Sequence, residues 1–273
     1  MSGVRLDAEL AAVLREAGLD TVEGAFAWQG GTDLDKPGLG TRRRTRLVLA
    51  GGDGAEHELY LKRYGVEPPG QRVRRLLTYG RRSPARIEYD NVRAAGAAGV
   101  ATMGAVACGD EMGLLAARRS FVIVTAVPGD ALERCGEVYL AADAARGAEL
   151  AEKLADLVGA LHAAGAVHRD LYAAHVFLHE GPEGAELYLI DLARMFTPPR
   201  WRRFRWRVKD LAQLKYSMPR DWVADHWEAF CQRYFARAGV DNAGRYAAAI
   251  DRKVGEMRRR DGRRSRRNTE AGV

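Results

Sequence analysis

The chain has 273 residues, 47% of them hydrophobic, enough for one large domain or two joined lobes. Three scattered cysteines, Cys108, Cys135 and Cys231, form no C-x-x-C pair, which excludes a zinc ribbon or disulfide framework and fits a reducing compartment. The net charge of +7 favours anionic partners such as phosphates, acidic lipid headgroups or nucleic acid.

In chain order, residues 1–20 read as a short amphipathic helix, with Leu6, Leu10, Val13 and Leu14 at helical spacing and Gly18 at its end. This start lacks the apolar core of a signal peptide, and no apolar run approaches a membrane span, so a soluble cytoplasmic protein is expected. Residues 30–40 are rich in turn formers. Residues 41–50 read as a strand, G-G-D-G at 51–54 as a turn, and residues 58–64 as a return strand carrying Lys62. Pro68-Pro69-Gly70 breaks the chain.

A helix is predicted from Ser83, as N-cap, and Pro84 to about Gly96 or Gly99. Glu88 shares a face with Val92 and Ala95, and a carboxylate on an apolar face needs a partner when buried. Residues 119–127 form a β-rich run closed by Pro128-Gly129. Leu150, Leu154, Leu157, Val158 and Leu161 then mark a helix ending near Gly165. Beyond Pro198 the chain reads as helical and aromatic. Residues 258–273 are too charged to pack and are expected to be disordered.

The most informative stretch is V-H-R-D-L-Y-A-A-H-V-F-L at 167–178, followed by L-I-D-L-A at 189–193. Asp170 and Asp191 lie 21 residues apart, each beside or within an apolar run. Two such carboxylates suit an enzyme that orients a hydroxyl nucleophile and holds Mg²⁺ on nucleotide phosphates. Capping or turn aspartates are the bland alternative.

With K-D-L-A-Q-L-K-Y-S at 209–217, these segments resemble the bacterial lipopolysaccharide core kinases, the Kdo/heptose kinase group that includes InaA-like proteins. The resemblance spans about residues 38–217. It implies an α+β, two-lobed protein-kinase-like fold: an N-terminal extension over 1–24, a small antiparallel β-rich lobe over 25–128, a mainly helical lobe over 129–257, and the basic tail. It implies ATP and Mg²⁺ as cofactors and a sugar or glycolipid hydroxyl as acceptor. Peripheral contact with the inner membrane is compatible with it, and no nucleic acid is expected.

The resemblance also implies site roles. Asp170 would orient the acceptor hydroxyl and take its proton, and Asp191 would ligate Mg²⁺. Protein kinases carry an Asn where His175 stands, but the heptose-kinase group has His; this imidazole would ligate the metal or hydrogen-bond a phosphate or Asp170. Lys62 would contact the α- and β-phosphates with Glu88 holding it in position. Gly38-x-Gly40 resembles a degenerate glycine-rich loop, and residues Thr125 to Val127 would lie against the adenine. His168 and Arg169 read as braces of the loop, and Asp210 as a cap on its backbone. The basic-aromatic run at 200–207 suits an acidic glycolipid, single-stranded nucleic acid, or a helix with tryptophan anchors. A protein or small-molecule kinase and a non-catalytic nucleotide-binding protein remain the competing readings.

Overall fold

The computed structural model describes residues 3–34, 42–52, 54–113 and 116–270, with side chains described up to residue 263. The chain divides into two compact units. The first comprises Met1–Ala97, Thr102–Val127 and Asp191–Ala193; the second comprises Ala98–Ala101, Pro128–Ile190 and Arg194–Val273.

The first unit is built on a six-stranded antiparallel sheet formed by β1 (Gly3–Leu6), β2 (Thr32–Asp33), β3 (Arg42–Ala50), β4 (Glu56–Tyr64), β5 (Ala105–Met112) and β6 (Ala117–Thr125), in the order β1-β5-β6-β4-β3-β2. The β3–β4 hairpin has the register Arg44↔Lys62 and Leu47↔Leu59. Its turn is closed by Gly54, whose φ of 80° a side chain would resist.

Because strand side chains alternate, Leu59 and Leu61 point to one face while Tyr60, Lys62 and Tyr64 share the other. The first face packs with Leu47, Leu49, Phe121 and Ile123 against Leu14, Leu19, Val22 and Ala25 of the segment containing α1 (Ala11–Glu16) and α2 (Val22–Ala27). After α3 (Pro69–Tyr79), helix α4 (Pro84–Ala97) packs against β4, β5 and β6. The Ser83 hydroxyl accepts the Arg86 N–H at 3.1 Å and so caps α4.

The N-terminal segment and the Pro68-Pro69-Gly70 segment both differ from what their sequence suggests. The N-terminal segment is not helical throughout: Gly3–Leu6 is a strand that pairs with β5, with Leu6 opposite Ala107. The open edge of β5 offers these residues a ladder of backbone hydrogen bonds, and one turn of helix offers less. In addition, Pro68-Pro69-Gly70 starts helix α3 instead of only breaking the chain, because proline is well placed in a first helical turn.

The second unit contains β7 (Asp130–Ala131), α5 (Leu132–Ala142), α6 (Arg146–Ala163), β8 (Val176–Gly181), β9 (Gly184–Leu189), α7 (Arg203–Ser217), α8 (Arg220–Ala238) and α9 (Ala243–Glu270). The three strands form an antiparallel sheet in the order β7-β8-β9. Helix α6 buries Leu150, Leu154, Leu157, Val158 and Leu161 and packs along α8, whose Trp227, Phe230 and Tyr234 stack in sequence. Gly165, at φ 81°, ends α6 with its N–H on His162 O at 3.0 Å.

The basic run from Arg258 continues α9 as helix instead of forming the disordered tail its charge suggested. Tyr246, Ile250 and Val254 are buried upstream, and extending an established helix costs far less than starting one.

Candidate functional site

In the first unit, Glu88 is fully buried on α4 and receives two donors from the facing side of β4. The Lys62 ammonium bonds Oε1, and the Tyr64 hydroxyl donates to Oε2 at 2.5 Å. Strand parity explains the pairing: residues 62 and 64 lie on one face, so both reach the same carboxylate. Arg42, opposite Tyr64 in the hairpin, places its guanidinium carbon 4.9 Å from the Tyr64 ring centroid and donates to its hydroxyl at 3.4 Å. Burial, and then the Glu88 charge, push the Tyr64 phenol well above its ordinary pKa, so it remains a donor.

Asp191 has a φ of 57°, in the left-handed region that side chains rarely occupy. It lines a small concavity with Arg42, Arg43, Arg44, Lys62, Arg63 and Tyr64, a cationic setting around one carboxylate. The next residue is tied down by Asn91 of α4, whose side-chain amide donates to Leu192 O at 2.7 Å. Thr125 spends its N–H on Gly104 O at 3.0 Å, and its hydroxyl accepts Gly104 N–H at 2.7 Å. Ala126 N–H bonds Glu58 O at 2.9 Å, and Val127 follows it. Gly38 and Gly40 lie outside the described residues.

In the second unit, the loop bearing Asp170 is held from below by Asp210 of α7, which is fully buried. Its two oxygens accept the backbone N–H groups of His168 at 2.7 Å and Arg169 at 2.8 Å. Arg169 has a φ of 75°. That conformation is maintained by the Asp210 bond, by Lys209 donating to Arg169 O, and by the guanidinium lying 5.2 Å from Phe196 and 5.3 Å from Trp206. His168 Nε2 donates to Ile190 O at 2.9 Å. The brace is deep: His162 of α6, also fully buried, is 3.3 Å from Asp210 Oδ2 through Nε2 and 2.7 Å from the Tyr234 hydroxyl through Nδ1.

The Asp170 carboxylate meets two cations. Arg194 Nη1 donates to its oxygens at 2.7 and 3.0 Å, and Lys209 Nζ is 3.9 Å away. Burial lowers the Lys209 ammonium below its ordinary pKa, and the Asp170 charge opposes that shift. His175 Nδ1 is 2.7 Å from Asp170 O. A carbonyl only accepts, so Nδ1 carries the proton of the neutral ring and Nε2 keeps a lone pair. That nitrogen can serve a metal or a donor, as a histidine ligand needs.

The 200–207 run divides by function. Arg207 is buried and donates to His162 O at 2.6 Å, a structural role. Phe204, Arg205, Trp206 and Lys209 of α7 line an open cavity with Arg252 and Lys253 of α9. Tyr64, Arg42, Asn91, Arg194 and Lys209 were not singled out by sequence reasoning. The usable signals were the parity of Tyr64 with Lys62 and the adjacency of Lys209 to Asp210.

The lipopolysaccharide kinase (Kdo/WaaP) family model matches residues 39–234. The lipopolysaccharide core heptose(I) kinase WaaP of Pseudomonas aeruginosa is 37% identical over 140 residues, covering 49% of this chain and 52% of that protein. The chain thus spans about half the length of the curated relative it matches. A solved structure of WaaP in complex with acyl carrier protein is similar with a TM-score of 0.67 and 29% identity, covering 93% of this chain and 99% of that one. The fold is therefore protein-kinase-like.

Proposed function

The chain belongs to the lipopolysaccharide kinase (Kdo/WaaP) family, and from that premise we propose that it is an ATP-dependent phosphotransferase acting on a sugar hydroxyl of a lipopolysaccharide core or related envelope glycolipid. The single observation that carries this reading is the Asp170 loop. Its backbone is clamped by a buried carboxylate and its acidic side chain is presented beside Arg194 and Lys209.

In this reading Asp170 orients the acceptor hydroxyl and receives its proton, while Lys209 and Arg194 supply positive charge where the transferred phosphoryl carries negative charge. Lys62, held by Glu88 and Tyr64, binds nucleotide phosphates as a point charge. Asp191 is the oxygen donor assigned to Mg²⁺, and the cations around it suit the phosphates that Mg²⁺ would accompany; the His175 imidazole, with Nδ1 on Asp170 O, is assigned separately as a nitrogen donor. When bound, Mg²⁺ neutralises phosphate charge. Val127 supplies the backbone contact to adenine, since the N–H groups of Thr125 and Ala126 are already engaged.

The cavity of Arg205, Trp206, Lys209 and Arg252, in which Lys253 is paired with Glu256 at 2.8 Å, supports an acidic sugar as acceptor, because aromatic faces take sugar rings and the arginines and Lys209 take carboxylates or phosphates. We assign the protein to the inner face of the bacterial inner membrane, bound peripherally. Among the described residues no helix is long and apolar enough to cross a membrane. The WaaP structure's acyl carrier protein is also proposed as a partner of this chain, to be tested by co-purification.

The test of the central reading is Asp170→Asn. Phosphoryl transfer from Mg-ATP to core oligosaccharide should fall by a factor of about 10²–10⁴ while ATP binding persists. Transfer at the parent rate would overturn the role of Asp170.

A further inference from the structure

Helix α3 is mounted with its apolar side outward. Arg75 is only 8% exposed: its Nε donates to Glu67 at 2.7 Å and its Nη1 to Arg82 O, fastening both ends of the helix. Meanwhile Val73 is 58%, Leu76 42% and Leu77 82% exposed, and the neighbouring Val66 is 52% exposed. At about 100° per residue, Val73, Leu76 and Leu77 fall in one arc of about 100°, with Arg75 on the opposite side. Arg72 and Arg74 then lie on the two flanks of that arc.

The segment from Pro69 to Arg82 contains five arginines and no carboxylate. Arg74, Arg81 and Arg82 are exposed. A soluble surface ordinarily turns such a helix the other way, because exposed valine and leucine forfeit their transfer free energy.

We infer that α3 is a membrane-docking helix: Val73, Leu76 and Leu77 enter the headgroup–acyl boundary of an anionic bilayer, and the flanking arginines contact lipid phosphates. The combination of a narrow apolar stripe, basic flanks and no acid is what an interfacial helix requires. Leu77, at 82% exposed, stands furthest out of the stripe. A fluid lipid surface accommodates a protruding leucine without a matched groove, whereas a protein partner would need one. The long arginine stems suit this placement, lying along the apolar boundary with the charge kept in water. The inference extends the peripheral-membrane part of the proposed function by naming the contact surface.

The test is co-sedimentation of the full chain with phosphatidylcholine–phosphatidylglycerol vesicles and with pure phosphatidylcholine vesicles. The parent should bind the anionic vesicles and release them as salt rises. The Val73→Asp/Leu77→Asp double variant should bind at least about tenfold more weakly. Val138→Asp, at a valine 77% exposed on α5, should bind as the parent does. If the double variant fails to fold, Leu77→Ser replaces it.

Equal binding by parent and α3 variants overturns the inference, as does absence of vesicle binding by the parent. Capture of the α3 face by an acidic protein, with vesicles unable to compete, overturns it too. Mg-ATP binding is measured on the same samples. Its absence from the parent would count against the kinase reading, and vesicle binding judges the helix separately.

Discussion

Tyr64→Phe is the sharpest probe of the Lys62–Glu88 pair, because it removes one oxygen and keeps the ring. Arg42 stays over an aromatic face, so the 4.9 Å cation–π contact survives and only the hydroxyl's bonds are lost. Glu88 is fully buried, and its Oε2 would be left with no hydrogen from residue 64. A hydrogen bond to a charged group contributes about 1.5–3 kcal/mol, and an unsatisfied buried acceptor costs its full desolvation. We expect destabilisation of about 1.5–3 kcal/mol, a shift of roughly 10- to 150-fold in the folded-to-unfolded ratio.

Lys62 keeps its ion pair in this variant, so nucleotide binding should weaken only several-fold, whereas Lys62→Met, which removes the cation bonded directly to the buried carboxylate, should cost about 3–5 kcal/mol. The assay is urea unfolding with linear extrapolation, paired with amide exchange over β4 and α4. A double-mutant cycle with Glu88→Gln should return a coupling of at least about 1 kcal/mol. A Tyr64→Phe stability within about 0.5 kcal/mol of the parent, the range of an ordinary surface substitution, would show that the hydroxyl does not support Glu88.

Other consequences concern the second unit. Asp210→Ala leaves two backbone N–H groups and a buried histidine without their acceptor, and should cost about 3–5 kcal/mol by calorimetry. Amide exchange should quicken at His168 and Arg169; unchanged protection there would show that Asp210 does not support the loop. Stability should also depend on pH through His162. Burial pulls its pKa below the ordinary value, against the opposing pull of Asp210, so the folded state stays neutral where the unfolded chain takes up a proton. Its contribution is complete above about pH 6.5 and declines as pH falls toward the folded pKa, by at most about 1.4 kcal/mol per pH unit. His162→Gln should flatten this slope below about pH 6.5, and an unaltered slope would exclude His162 as its source. Glu149, lowered from 4.5 chiefly by the Ala185 N–H, keeps its full contribution above that value and loses it only at lower pH, so it does not mask the histidine.

Much of the site was legible because its chemistry is local in sequence. Period-2 alternation across a glycine turn placed Lys62 on a hairpin strand, helical spacing placed Glu88 on an apolar face, and the H-R-D and I-D segments carried the resemblance. The partners that complete these groups were less legible. Asn91 reaches Leu192 across 101 residues, and Arg194 reaches Asp170 across 24, with no motif announcing either. The N-terminal strand was misread because a four-residue segment shows neither period clearly, and its state depends on whether a sheet edge is available to pair with.

What the residue order settled alone is the family and which side chains share a face of a strand or helix. Those follow from covalent spacing and backbone geometry. The tertiary structure decided which face points inward. Tyr64 became the third member of the Lys62–Glu88 pair because α4 lies over that side of the sheet, and Arg75 is buried while Leu77 faces out because Glu67 and the Arg82 carbonyl hold α3 in that orientation. Periodicity divides an element into faces, but only the packing of distant segments determines which solvent each face meets.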